Sequence, residues 1–158
     1  MIKSRKTALP KKWYLLADVS YLSNTEQALK GRISPSVGLG RFIKSTNRLY
    51  FGVTVGATVN FETYEDNSLD KTSSEAFLGS NFDMYDFKDF DLSTGFKFYT
   101  GLSEKGRIRT DYDIIIKYDL PWDFYIKTGF SLNYDNQPAV KGTEVDYIFT
   151  SGFGYKLD

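Results

Sequence analysis

Residues 48–64, RLYFGVTVGATVNFETY, alternate almost without a fault. Leu49, Phe51, Val53, Val55, Ala57, Val59 and Phe61 form one series; Tyr50, Gly52, Thr54, Gly56, Thr58, Asn60 and Glu62 form the other. Successive strand side chains point to opposite faces, so the stretch reads as one long strand with an apolar side and a small, polar side. A soluble barrel turns the apolar side inward, whereas a membrane barrel turns it out to lipid and fills its interior with polar groups.

The same reading along the chain gives eight strand-like segments and no convincing helix, at about 13–22, 32–44, 48–64, 74–87, 90–102, 107–120, 124–134 and 144–157. Residues 1–11 are expected to form an irregular leader to a single domain spanning 1–158. The second segment alternates poorly, and Pro35 within it suggests a strand end or bulge. Connections after the first, third, fifth and seventh segments are longer and polar. Those after the second, fourth and sixth are about three residues or fewer, the pattern of outer loops and periplasmic turns. Both termini are then expected on the periplasmic side. The pattern therefore predicts an all-β, antiparallel up-and-down transmembrane β-barrel.

Three features favour the membrane orientation. Gly recurs on the polar face (Gly52, Gly56, Gly79, Gly95, Gly129, Gly152, Gly154), where a curved interior packs closely. The segments exceed the ~5–6 residues usual for soluble strands, and about ten tilted residues cross a bilayer. Aromatics crowd the segment ends: Trp13 and Tyr14, Phe61 and Tyr64, Tyr85 and Phe87, and Trp122 to Tyr125. Such rings suit the membrane interface. No apolar run approaches the ~20 residues of a membrane helix, which leaves a barrel untouched.

Composition narrows the chemistry. The 20 Lys+Arg balance 20 Asp+Glu, which gives no basis for a nucleic-acid partner. Cys and His are both absent, which removes thiol nucleophiles, the usual structural zinc and His-based acid–base catalysis. No enzymatic role, cofactor or metal is therefore expected. Asp111 and Asp113 share a face with Arg107, Arg109 and Lys117. Paired carboxylates could do acid–base work, but mutual neutralisation in a narrow interior is favoured, since pairing makes buried charge tolerable. Glu65, Asp66 and Asp70 could take a hard cation through oxygen, though a solvated loop is favoured. Gly38-Leu39-Gly40 lies in a strand context and is no phosphate loop.

The expected interior charge network comprises Asp18, Glu62, Asp83, Lys97, Arg107, Arg109, Asp111, Asp113, Lys117, Lys127, Asp146 and Lys156. With both signs present, it predicts salt-bridged plugging rather than a strongly selective pore. The alternative is a soluble lipocalin-like barrel binding a small apolar ligand, with Val53, Val55, Ile114, Ile116 and Phe149 pointing inward.

Four stretches carry a family resemblance: LPKKWYLLADVSYL at 9–22, SSEAFLGSNFDMYDFKDFDL at 73–92, KYDLPWDFYIKTGFSLNYDNQP at 117–138 and DYIFTSGFGYKLD at 146–158. From about residue 11 to the end, the chain resembles the domain-of-unknown-function 481 family, described as salt-induced outer membrane proteins, and its Bacteroidetes branch in particular. The resemblance implies a Gram-negative outer-membrane β-barrel without established activity, in contact with membrane lipid and with an envelope-stress role or a narrow pore. Family members are usually longer, with a signal peptide and further strands, so this sequence looks like the C-terminal part. Eight strands can close a small barrel; as part of a larger one, they would leave two open edges. The last segment also resembles the signal read by the barrel assembly machinery, through Thr150, Gly152, Tyr155 and Leu157. It lacks the usual terminal aromatic, and a simple last strand remains the other reading.

Overall fold

Residues 3–8, 12–24, 29–64, 70–138 and 144–156 are described by a computed structural model of the chain. They form nine strands: β1 Lys3–Ala8, β2 Trp13–Asn24, β3 Leu29–Ser45, β4 Leu49–Tyr64, β5 Lys71–Phe87, β6 Phe90–Gly101, β7 Ile108–Asp119, β8 Phe124–Asp135 and β9 Val145–Tyr155. All belong to one antiparallel sheet in sequence order, an up-and-down meander. The fold is all-β, as the alternation predicts. Among the described residues no ladder joins β1 to β9, so the sheet is not closed.

Three boundaries differ from expectation, one of them the start of β5 at Lys71 rather than near Ser74. Residues 1–11 were expected to be irregular, yet Lys3–Ala8 pair antiparallel with β2, from Lys3↔Val19 to Ala8↔Tyr14. β3 starts at Leu29 rather than near Arg32, and it runs straight through Pro35. Proline lacks the N–H that a ladder needs, and the β3–β4 pairs accordingly skip from Ile33↔Phe61 to Ser36↔Thr58. The Pro35 carbonyl is taken instead by the Thr58 hydroxyl, at 3.0 Å.

The short connections turn sharply. Lys88 and Asp89 have φ of 51° and 68°, and Trp122 and Asp123 have 63° and 60°. Paired left-handed residues give the turn twist that matches two antiparallel strands. The connections at the opposite end of the sheet are longer, apart from that between β2 and β3, which spans only 25–28.

The sheet is strongly curled. β3 and β8 stand five places apart, about 24 Å in a flat sheet, yet Arg32 Nη2 lies 3.7 Å from Asp135 Oδ2. The polar series lies on the concave side: Ser34, Ser36, Thr54, Thr58 and Asn60 are buried. The apolar series lies on the convex side, with Val37 63 %, Val55 60 %, Leu78 58 % and Phe149 66 % exposed. Val53, Ile114 and Ile116 share that convex face by strand parity. This is the reverse of the inward placement that a soluble apolar-cavity barrel requires, so that expectation is corrected.

Two interface aromatics are also corrected. Tyr14 and Tyr64 are 1 % and 3 % exposed and turn inward, whereas Trp13, Tyr85, Phe87 and Trp122 stay exposed. Tyr14 lies on the same face as Gly40, where a Cβ would run into its ring. Tyr14 packs on Phe42 at 4.6 Å between ring centroids, and Phe77 packs on Tyr99 at 5.9 Å. With Leu16, these rings make an apolar layer within an otherwise polar interior.

Candidate functional site: a buried charge network

The long-loop end of the concave face carries a cluster of charges delivered by five strands. Glu62 at the end of β4 is its hub, with a fully buried side chain. Its Oε1 lies 2.7 Å from Arg32 Nε on β3 and accepts a hydrogen bond from Arg107 Nη2 at 3.0 Å. Its Oε2 accepts the Tyr64 hydroxyl at 2.9 Å and lies 3.8 Å from Lys71 Nζ. Arg107, just before β7, also donates to Asp135 Oδ2 at 2.6 Å and to Oδ1 at 3.3 Å.

Arg109, one face-repeat along β7, forks onto Glu75 of β5 at 2.6 and 2.9 Å. Its guanidinium also sits 4.6 Å over the Tyr99 ring. A neutral chain runs alongside: Ser34 Oγ donates to Asn60 Oδ1 at 2.8 Å, and Asn60 Nδ2 donates to Ser73 Oγ at 3.3 Å. The Arg109–Glu75 and Arg107–Asp135 contacts are bidentate and charge-assisted, the strong class of hydrogen bond. Burial disfavours the charged Arg107, but the bonds that it donates to Asp135 and the nearby Glu62 charge outweigh this and raise its pKa.

A second, smaller cluster marks the short-turn end. Lys117 Nζ lies 2.8 Å from Asp119, and Lys156 Nζ donates to Asp119 at 2.7 Å. That hydrogen bond raises the pKa of the exposed Lys156.

The residues expected from sequence fall into separate groups. Glu62, Arg107 and Arg109 belong to the buried network. Lys97, Asp111, Asp113 and Asp146 line a cavity beside it, of about 280 Å3. Lys117 and Lys156 meet at the other end of the sheet. Asp83 accepts the Ser93 hydroxyl at 2.6 Å, Asp18 is buried opposite Ser36, and Lys127 is exposed. They do not form one continuous network.

Arg32, Glu75, Asp135 and Lys71 complete the cluster and are absent from the expected set. Glu75 has the parity of Gly79 and Asn81, and Arg32 that of Gly38 and Gly40. Both lie inside the expected segments 32–44 and 74–87, and their parity alone places them on the interior face. Asp135 continues the series Gly129, Ser131, Asn133, but read as the start of a polar loop. Glu65 and Asp66 lie outside the described residues, as does Leu157; Asp70 Oδ1 accepts the Tyr64 N–H at 2.8 Å.

A family model described as "Protein of unknown function, DUF481" matches residues 4–157. No curated protein and no solved structure matches the chain.

Proposed function

We propose, from the premise that the chain belongs to the DUF481 family of proteins of unknown function, that it is a non-enzymatic β-barrel protein of the bacterial outer membrane with a plugged interior. One observation carries this reading: the sheet exposes its apolar face and buries its polar one. The convex series of β4, β7 and β9 hold no Asp, Glu, Lys or Arg. Soluble monomers rarely expose a contiguous apolar patch beyond a few hundred Å2, whereas a lipid-facing barrel surface consists of little else.

In this reading the exposed Trp13, Tyr85 and Trp122 sit at the headgroup level of the short-turn, periplasmic side. The longer loops face outward. The buried ion pairs and the Tyr14–Phe42 and Phe77–Tyr99 layer close the lumen to solutes, leaving a structural or envelope-stress role. Thr150, Gly152 and Tyr155 would present the assembly signal from β9, the last described strand.

Single Cys substitutions at Val55, Leu78 and Phe149, labelled with a fluorophore in lipid vesicles, test the reading. A lipid-phase quencher is expected to reach these sites but not Thr54 or Thr58. Folding without detergent or lipid, with Val55 and Phe149 shielded from that quencher, would overturn it.

A further inference from the structure

The cavity beside the charge network lies between two walls of the curled sheet. Arg32 of β3 and Asp135 of β8 meet at 3.7 Å, so the strands that carry them face each other. Along β3 from Arg32, on the same face, stand Ser34 and Ser36; Ser20 of β2 is opposite Ser34, and Thr58 of β4 is opposite Ser36. Back along β8 from Asp135, on the same face, stand Asn133 and Ser131. All six line the cavity. Its volume of about 280 Å3 lies just below the ~300–1,000 Å3 usual for small-ligand sites, which suits one compact molecule. Asp113 and Ile148, which also line it, are exposed, so the cavity is open to solvent.

The charged groups of the lining are committed to one another. Arg32 is held by Glu62 and Asp135, and Arg109 by Glu75. Asp113 accepts the Ser131 hydroxyl, Asp111 accepts the Tyr99 hydroxyl and faces Arg109 and Lys97, and Asp146 has a partner of its own. The uncommitted groups are neutral. Among the described residues, the side chains of Ser20, Ser36 and Asn133 make no hydrogen bond. Ser36 is the telling one, because it is only 8 % exposed and a buried hydroxyl is rarely left without a partner. Ser34 and Thr58 donate their protons to Asn60 and the Pro35 carbonyl, which leaves their oxygens as acceptors.

We infer that this cavity is a binding site for a neutral polyhydroxylated molecule of monosaccharide size. Each hydroxyl of such a ligand is both donor and acceptor. It can therefore answer the Ser20 and Ser36 hydroxyls and the Asn133 amide while giving its own protons to Ser34 and Thr58. A charged ligand would find no free counter-charge and would have to displace an existing partner. The inference goes beyond the membrane reading, because it depends only on the curled sheet.

The test is calorimetric titration of the full chain, folded in micelles of a detergent without a sugar headgroup, with glucose, galactose and mannose in turn. Saturable binding of at least one is expected, tighter than that of glucosamine or gluconate, which carry a charge. Raising the ionic strength should leave it unchanged, since salt screens only charges. Ser36→Ala and Asn133→Ala should each weaken it several-fold, the scale of one lost neutral hydrogen bond. Ser80→Ala, on the convex face beside Val53, should have no effect. If Ser36→Ala fails to fold, Asn133→Ala and the charged analogues still decide. No saturation by any of the three hexoses, tighter binding of glucosamine or gluconate, or full affinity in both cavity variants would overturn the inference.

Discussion

Replacing Glu62 by Gln keeps the shape of the side chain and deletes one buried charge. Glu62 sits 2.7 Å from Arg32 Nε and 3.0 Å from Arg107 Nη2, and its own side chain has no solvent access. The change leaves two guanidiniums without their shared counter-charge, with Asp135 beside both and Glu75, 3.8 Å from Arg107 Nε, beside one. Breaking a buried pair in this way costs about 3–5 kcal/mol, against roughly 0.2–1 kcal/mol for an exposed one. At about 1.4 kcal/mol per decade, the unfolding constant should rise by roughly two to three and a half orders of magnitude. Urea unfolding in detergent micelles, followed by Trp13 and Trp122 fluorescence, measures it. The exposed Lys156–Asp119 pair is just as short, 2.7 Å, and provides the control: Lys156→Gln should shift the midpoint far less. Replacing Arg32, Glu62, Arg107 and Asp135 together by apolar residues of similar size should recover most of the loss, because no uncompensated charge then stays buried. A Glu62→Gln shift no larger than that of Lys156→Gln would refute the argument that burial sets the strength of this network.

Gly56→Ala should destabilise by about 1–3 kcal/mol, the usual cost of overpacking, because its Cβ would meet the Val37 carbonyl and the Phe77 ring; a neutral thermal midpoint would contradict the close packing. Tyr14→Phe removes a 2.6 Å hydroxyl contact with Thr54 inside the sheet and should cost about 1 kcal/mol in the same urea assay. Lys88→Asn with Asp89→Gly suits the left-handed φ of both positions and should raise stability by about 0.5–1 kcal/mol; a decrease would show that the turn has another geometry. Trp122 is 84 % exposed at a turn tip, so Trp122→Ala should leave stability in micelles unchanged. In a Trp13→Phe background, Trp122 emission should shift to the blue when the chain enters vesicles, and an unshifted spectrum would place the turn in bulk water.

The alternation of residues 48–64 was enough to set strand, period and face, because a two-residue repeat admits one secondary structure. The same reasoning reached Glu62, Arg107 and Arg109 as interior charges. It passed over Arg32 and Glu75, which lie near the starts of expected strands, and stopped one residue short of Asp135. Composition there changes from alternating to polar, yet hydrogen bonding continues. Tyr14 and Tyr64 misled for a different reason. A tyrosine near a strand end suits a membrane interface as well as a buried hydrogen bond, and only the Thr54 and Glu62 partners distinguish the two.

By itself, then, the sequence determined the all-β class, the antiparallel meander and, on β4, β7 and β9, the division into a charged and an uncharged face, all of which follow from local periodicity and turn chemistry. It could not determine which charges meet. Arg32 and Asp135 are about 100 positions apart in the chain, and their contact depends on how tightly the sheet curls. Curl accumulates from small twists at every strand pair and from bulges such as that between Phe42 and Lys44. The tertiary structure alone decided the burial of the Glu62 hub and the inward turn of Tyr14. Each arises where strands distant in the meander are brought face to face.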